Sequence, residues 1–162
     1  MRVLLVSVQI ILSCLIPVYA QDRTVPMLNF AGFEKYLCSQ SDTVFVINFW
    51  ATWCGPCRRE LPEFEKIHNE HSREKVKVLL VSLDFPSQLE KGLIPYLTNN
   101  RITADVVLLN EPDANAWINL VDPSWTGSLP ATLLYTGGKR IFYEKELSYQ
   151  DINNSIHLLI DP

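Results

Sequence analysis

Basic residues are scarce in this sequence, glycine is scarcer, and no segment of it repeats. Lys and Arg number 14 against 18 Asp and Glu in 162 residues, a formal charge of −4. No cationic excess is available to neutralise a run of phosphates, so nucleic acid is not an expected partner. Six glycines are too few for collagen-like or glycine-rich architectures, and the lack of self-similarity at periods of about 20 to 50 residues excludes solenoids and propellers. With 48% apolar and 20% charged residues, the composition is that of one globular domain rather than a disordered chain or a coiled coil.

An uninterrupted run of about 20 apolar residues, the length a membrane-spanning helix needs, is missing too. Val3 to Ile16 is apolar but diluted by Ser7, Gln9 and Ser13, and Pro17 and Val18-Tyr19-Ala20 follow it. This pattern predicts a secretory signal over residues 1–20, cleaved after Ala20, and a single domain over residues 21–162. An uncleaved anchor, or lipidation at Cys14, stays open as an alternative. Without residues 1–20 the chain keeps 13 basic and 18 acidic side chains and three cysteines, Cys38, Cys54 and Cys57. Three is an odd number for an oxidising compartment, where stable pairs are expected.

What is abundant is β-branched and aromatic sequence in short blocks. Thr43 to Trp50 has no polar alternation, which suits a central strand buried on both faces. Val76 to Asp84 reads as a second buried strand, Asp105 to Leu109 as a short third, and Ala131 to Thr136 with Lys139 to Glu144 as a hairpin around Gly137-Gly138. Helical spacing predicts a leading helix capped by Asn29 and carrying Phe30, Phe33 and Leu37, then a helix from the Cys54-Gly55-Pro56-Cys57 turn to about Ser72, kinked at Pro62. Three more follow: one opened by a capping box of Ser87 and Glu90, one capped by Asp113, and a last one opened by Ser148 and Asp151 with Ile152, Ile156 and Leu159 on its inner face. The order is α-β-α-β-α-β-α-β-β-α, an α/β sandwich with a mixed sheet.

The chemistry is concentrated in Cys54 and Cys57. Two cysteines separated by two residues can close a small disulfide. A cysteine at a helix N-terminus has its thiolate stabilised by unpaired N–H groups and the helix dipole. Cys54 is therefore the expected nucleophile and Cys57, shielded inside the first turn, the resolving thiol. Gly55 permits the turn, and Pro56 suits the first helical position. Zinc would need two further ligands, and the spacing from Cys57 to His68 and His71 does not match the usual sites. Covalent haem would need His where Arg58 stands. A purely structural bridge over so small a loop would stabilise little. Cys38 is expected as a small buried apolar residue. Trp50 is expected in the core, and Trp125 either at the site's rim or packed in a loop.

The run Asn48 to Pro62 (NFWATWCGPCRRELP) resembles the active-site strand, turn and kinked helix of the thioredoxin superfamily, and is similar to its exported TlpA/ResA-like branch. Ser128-Leu129-Pro130-Ala131-Thr132 resembles the family's cis-proline loop, and the strand and helix near residues 104–121 resemble that branch's insertion. The likeness covers most of residues 28–160. It implies a thioredoxin fold and thiol-disulfide exchange through a Cys54–Cys57 disulfide, with no cofactor and no metal. It further implies a substrate surface of Trp53, Gly55, Pro56, Leu129 and Pro130. Implied partners are exported proteins with disulfides or thiols and a membrane-bound electron donor, in a bacterial periplasm.

One position departs from the pattern. Thioredoxin carries a buried Asp beneath its cysteines, whereas the matching Asn48 cannot exchange protons. The resemblance implies Glu60, three residues after Cys57, as the group assisting deprotonation of Cys57; a solvated helix acid is the competing reading. The implied activity is that of a reductant, with a disulfide-donating oxidase, or a thioredoxin-fold binding module without turnover, as alternatives. The mass of the exported protein tests the targeting segment: a chain starting at Gln21 is expected, and a lipidated Cys14 or retained Met1 would overturn it.

Overall fold

A computed structural model describes residues 23–38, 41–71 and 75–160. The expected signal over residues 1–20 lies outside them. Among the described residues the strands are β1 (Met27–Leu28), β2 (Val44–Trp50), β3 (Val76–Ser82), β4 (Asp105–Leu109), β5 (Ala131–Thr136) and β6 (Lys139–Tyr143). The helices are α1 (Phe30–Phe33), α2 (Gly55–Glu70), α3 (Ile94–Asn99), α4 (Ala114–Val121) and α5 (Tyr149–Ile160). One sheet results, in the order β1-β4-β3-β2-β5-β6, parallel from β1 to β2 and antiparallel from β2 to β6. This is the mixed α/β sheet expected from the sequence. No helix among the described residues is long and apolar enough to cross a membrane.

Successive strand residues point to opposite faces, and both faces of β2 are covered. Val44, Val46 and Trp50 pack with Leu61, Phe64 and Ile67 of α2, Leu97 of α3 and Ile152 and Ile156 of α5. Ile47 and Phe49 pack on the other side with Phe33, Trp117, Val121 and Trp125. That second layer is aromatic: Phe49 lies 5.8 Å from Phe33 and 4.7 Å from Trp125, ring centre to ring centre. Trp125 is thus a packed loop aromatic, and Trp50 is in the core as expected.

Several termini follow the predicted chemistry. Asn29 accepts from the Gly32 amide at 3.0 Å, and Asp113 caps α4 through the Asn115 amide. Ser148 and Asp151 exchange reciprocal bonds, Ser148 N to Asp151 Oδ2 at 2.9 Å and Asp151 N to Ser148 Oγ at 3.2 Å. The hairpin turns at Gly137 and Gly138, both at positive φ.

Other expectations need correction. The capping box of Ser87 and Glu90 does not form; Phe85 starts a 3-10 turn with no side-chain cap, and a wide π turn over Leu89–Leu93 leads into α3. Pro95 explains the widening, because it has no N–H for the Lys91 carbonyl and its ring crowds that turn. The Ile94 amide reaches back to Leu89 instead. Cys38, expected buried, is exposed, since the leading helix has ended at Leu37, the last residue there turned to the core.

Strand β1 was not legible as a strand. It lies outside β4, pairing Met27 with Leu108 and Leu28 with Leu109. Pro26 precedes it, and the Arg23 guanidinium holds the carbonyls of Ile102 and Ala104. Replacing Phe49 with Ala should lower the unfolding free energy by about 3–5 kcal/mol, as for other buried aromatics. Urea denaturation checks this, and a loss below about 1 kcal/mol would show that the aromatic layer is not packed as described.

Candidate active site

The site forms where β2 leaves the sheet. The Thr52 amide donates to both oxygens of the Asp84 carboxylate, at 3.2 and 3.1 Å, and its hydroxyl donates to Oδ1 at 2.6 Å. Asp84 is buried and also accepts from the Ser82 hydroxyl at 2.8 Å. The chain then turns, with Cys54 N bonded to the Ala51 carbonyl at 3.1 Å, and enters α2. Cys54 is the N-cap residue: its backbone is extended and its Sγ accepts from the Cys57 amide at 3.3 Å. Pro56 sits in the first turn, where its missing N–H costs no bond.

Cys54 and Cys57 are joined as a disulfide with their Cα atoms 5.3 Å apart. Cys54 retains 6% exposure and Cys57 none, so an incoming sulfur can meet only the first of the pair. A Cys54 thiolate at this position faces the free amides and positive dipole end of a 16-residue helix.

One turn further along α2, Glu60 occupies a position of the buried stripe formed by Cys57, Leu61, Phe64 and Ile67. It is 1% exposed, which rules out the solvated-acid reading. Its Oε1 accepts from Asn48 Nδ2 at 2.7 Å and its Oε2 from the Leu147 amide at 2.8 Å. Asn48 also donates to Thr132 Oγ1 at 3.0 Å, which ties β2, α2 and β5 together. Burial pushes the Glu60 carboxyl up to about 7, against the pull of the Leu147 and Asn48 hydrogen bonds and with help from the nearby Glu146 charge.

The other wall comes from the loop into β5. The Leu129–Pro130 bond is cis. Ala131 pairs with Phe49, so Pro130 lies at the end of β2 that leads to the cysteines. The loop is held from behind by Glu144, which accepts from the Thr126 amide and hydroxyl and from the Ser128 amide at 2.8 Å. Trp125 Nε1 donates to the Ser128 carbonyl at 3.0 Å.

Of the residues singled out in the sequence, Cys54, Cys57, Gly55, Pro56 and Glu60 share one helix end, and Pro130 precedes β5 at the end of β2 that leads to them. Trp53 and Pro56 are exposed, Leu129 is half-buried and Pro130 buried. His157 is exposed, and no cluster of three or more metal-ligating side chains occurs among the described residues. Sequence reasoning missed Asp84, Thr132 and the Leu147 amide. Strand alternation held a signal for part of this, since it places Asn48 on the α2 face with Val46 and Trp50.

The sequence profile of the AhpC/TSA family matches residues 20–135. Thioredoxin-like protein YneN of Bacillus subtilis is 33% identical over 102 residues, which cover 63% of this chain and 58% of that protein. Sporulation thiol-disulfide oxidoreductase A of the same organism is 32% identical over 63 residues, covering 39% of this chain and 38% of that one. The matches thus span less than two thirds of these curated relatives. Among solved structures, a thioredoxin-related protein from Neisseria meningitidis serogroup B superposes with a TM-score of 0.63 at 22% identity, over 74% of this chain and 87% of that one, which establishes the thioredoxin fold.

The Glu60 environment has a measurable signature. Its folded-state pKa of about 7 stands above the ordinary 4.5, so between these values the folded protein binds the extra proton. The Glu60 contribution to stability is therefore complete below pH 4.5 and is lost as pH rises through 7, in total by about 3 kcal/mol. Urea unfolding of the oxidised protein from pH 4 to 8 should show this fall in the wild type and lose it in Glu60→Gln. Parallel curves would mean that Glu60 does not titrate as its surroundings require.

Proposed function

The chain belongs to the AhpC/TSA family of thioredoxin-fold proteins, and from that premise we propose that it is a thiol-disulfide oxidoreductase that reduces disulfides of exported proteins. The observation that carries this reading is the Cys54–Cys57 bridge at the N-terminus of α2 directly above a buried carboxyl group. A bridge placed for stability alone has no use for either feature.

In the reductive half-reaction, the Cys54 thiolate attacks a substrate disulfide and one substrate sulfur leaves as thiolate. Cys57 then attacks Cys54, and the second substrate sulfur leaves. Two electrons pass to the substrate and the pair ends as the disulfide seen here. Cys57 must lose a proton before it attacks. Glu60, three residues away on the same helix face, has its Cβ within about 5–6 Å of that of Cys57, and its raised pKa of about 7 lets it accept a proton near neutrality. Asn48 suits this exchange: its amide donates to the carboxylate, and its carbonyl oxygen, without a partner among the described residues, can accept from the carboxylic acid after a flip.

The resemblance to the exported branch, together with the signal pattern over residues 1–20, supports function outside the cytoplasm, in the periplasm, with a membrane-bound donor restoring the dithiol. Trp53, Gly55, Pro56, Leu129 and Pro130 are the proposed substrate surface. Replacing Cys57 with Ala should trap substrates as mixed disulfides with Cys54, seen as bands that disappear on reduction. A Cys54→Ala, Cys57→Ala control should trap none; identical behaviour of the two proteins would remove the exchange mechanism. A reduction potential near about −270 mV is expected for the reductant, and one near about −120 mV would reverse the direction of electron flow.

A further inference from the structure

Past their last sheet pairing, Trp50 with Ser82, the parallel strands β2 and β3 stay in step. The Leu83 amide donates to the Trp50 carbonyl at 2.8 Å. Two residues beyond the last pair, the Asp84 carboxylate grips the Thr52 amide and hydroxyl. Trp53 and Phe85 each follow this Thr52–Asp84 clasp by one residue. Both side chains are exposed, Trp53 to 62% and Phe85 to 70%.

Single exposed apolar side chains are ordinary, and Leu120 on α4 and Leu158 on α5 are of that kind. Phe85 differs in two ways. It lies beside the turn that carries the nucleophile, at the carboxyl ends of the parallel strands, where open α/β sheets bind their ligands. Its backbone is also fixed from both directions: by buried Asp84 before it, and after it by Pro86 and the 2.8 Å bond from the Gln88 amide to the Phe85 carbonyl. The backbone that carries the ring is thus already ordered, which leaves only the side chain's own rotamers to be fixed on contact.

The order β3-β2-β5 sets the cysteine turn between two walls, Phe85 three residues past β3 and Pro130 immediately before β5. A substrate segment laid across these strand ends with its cysteine over Cys54 has one flank on Leu129 and Pro130. Adjacent strands lie about 4.8 Å apart and an extended chain advances about 3.3 Å per residue, so a residue one to three positions from that cysteine falls over Phe85. We propose that Phe85 is a specificity-determining residue, forming with Trp53 an aromatic platform for a large apolar side chain next to the reacting cysteine of the substrate protein. This rests on the reading that Cys54 attacks substrate disulfides.

The test uses the protein reduced by dithiothreitol and two peptide disulfides that differ only in the residue two positions from one cysteine, Phe or Ser. In each turnover the peptide disulfide becomes two thiols, Cys54 and Cys57 become a disulfide, and dithiothreitol restores the dithiol. The wild type should reduce the Phe peptide about tenfold faster at low substrate. Phe85→Ser should bring that ratio to about one, while Phe85→Tyr and Phe85→Leu should keep most of it. A ratio unchanged in Phe85→Ser, or no preference in the wild type, overturns the platform. If the wild type reduces neither peptide, the oxidoreductase reading falls and takes the platform with it. Should Phe85→Ser not fold, the ratio in Phe85→Leu against Phe85→Lys decides the question in the same way.

Discussion

Strand β2 is covered on both faces, and that single constraint assigns every residue of Val44–Trp50 to one layer or the other. Asn48 falls on the α2 side and cannot reach water, so its amide must find partners inside the protein. It finds them on α2 and β5, in Glu60 and Thr132. Glu60 in turn can be buried only because Asn48 and the Leu147 amide accept the task of solvating it. The helix that begins at the cysteines is thereby locked to the strand that delivers them, and the positions of Cys54 and Cys57 follow from a hydrogen-bonded core rather than from the turn alone.

The segments around the site share a device. Each is fixed by a carboxylate from elsewhere in the chain that receives a backbone N–H: Glu60 holds Leu147, Asp84 holds Thr52, and Glu144 holds Thr126 and Ser128. Hydrogen bonds of this kind order a loop without filling it with side chains. The rim is left open for a partner while its backbone stays in place. Outside the site, the Arg59–Glu146 pair at 2.7 Å is exposed on both sides and contributes little to stability.

Much of this was legible in the sequence where local chemistry decides the outcome. The unbroken apolar runs of β2 and β3, the Gly137-Gly138 hairpin and the caps at Asn29, Asp113 and Ser148 state their own conformations. The cysteine turn and the cis-proline loop were visible through family resemblance. What stayed hidden depends on partners distant in sequence. Two residues cannot announce β1; the edge of β4 makes them a strand. The resemblance singles out Glu60, but its burial depends on the Leu147 segment before α5, and only its place in the stripe with Leu61 and Phe64 hints at it locally. Asp84 reads as the end of a strand, and only its register with Thr52 reveals a second role. Pro95 breaks the pattern of backbone donors in its helix, and only the packed chain shows a π turn absorbing it.

The outer strands are protected against pairing with other chains. A free sheet margin is a template on which an extended polypeptide can grow. Here β1 offers only two residues and follows Pro26, which has no N–H to give. Next to it, Arg23 occupies carbonyls at Ile102 and Ala104 that would otherwise stand free. At the opposite margin, β6 opens with the exposed charges of Lys139 and Arg140. The margins are thus built to refuse strand addition, which directs a visiting chain away from the sheet and toward the cysteine end of the molecule.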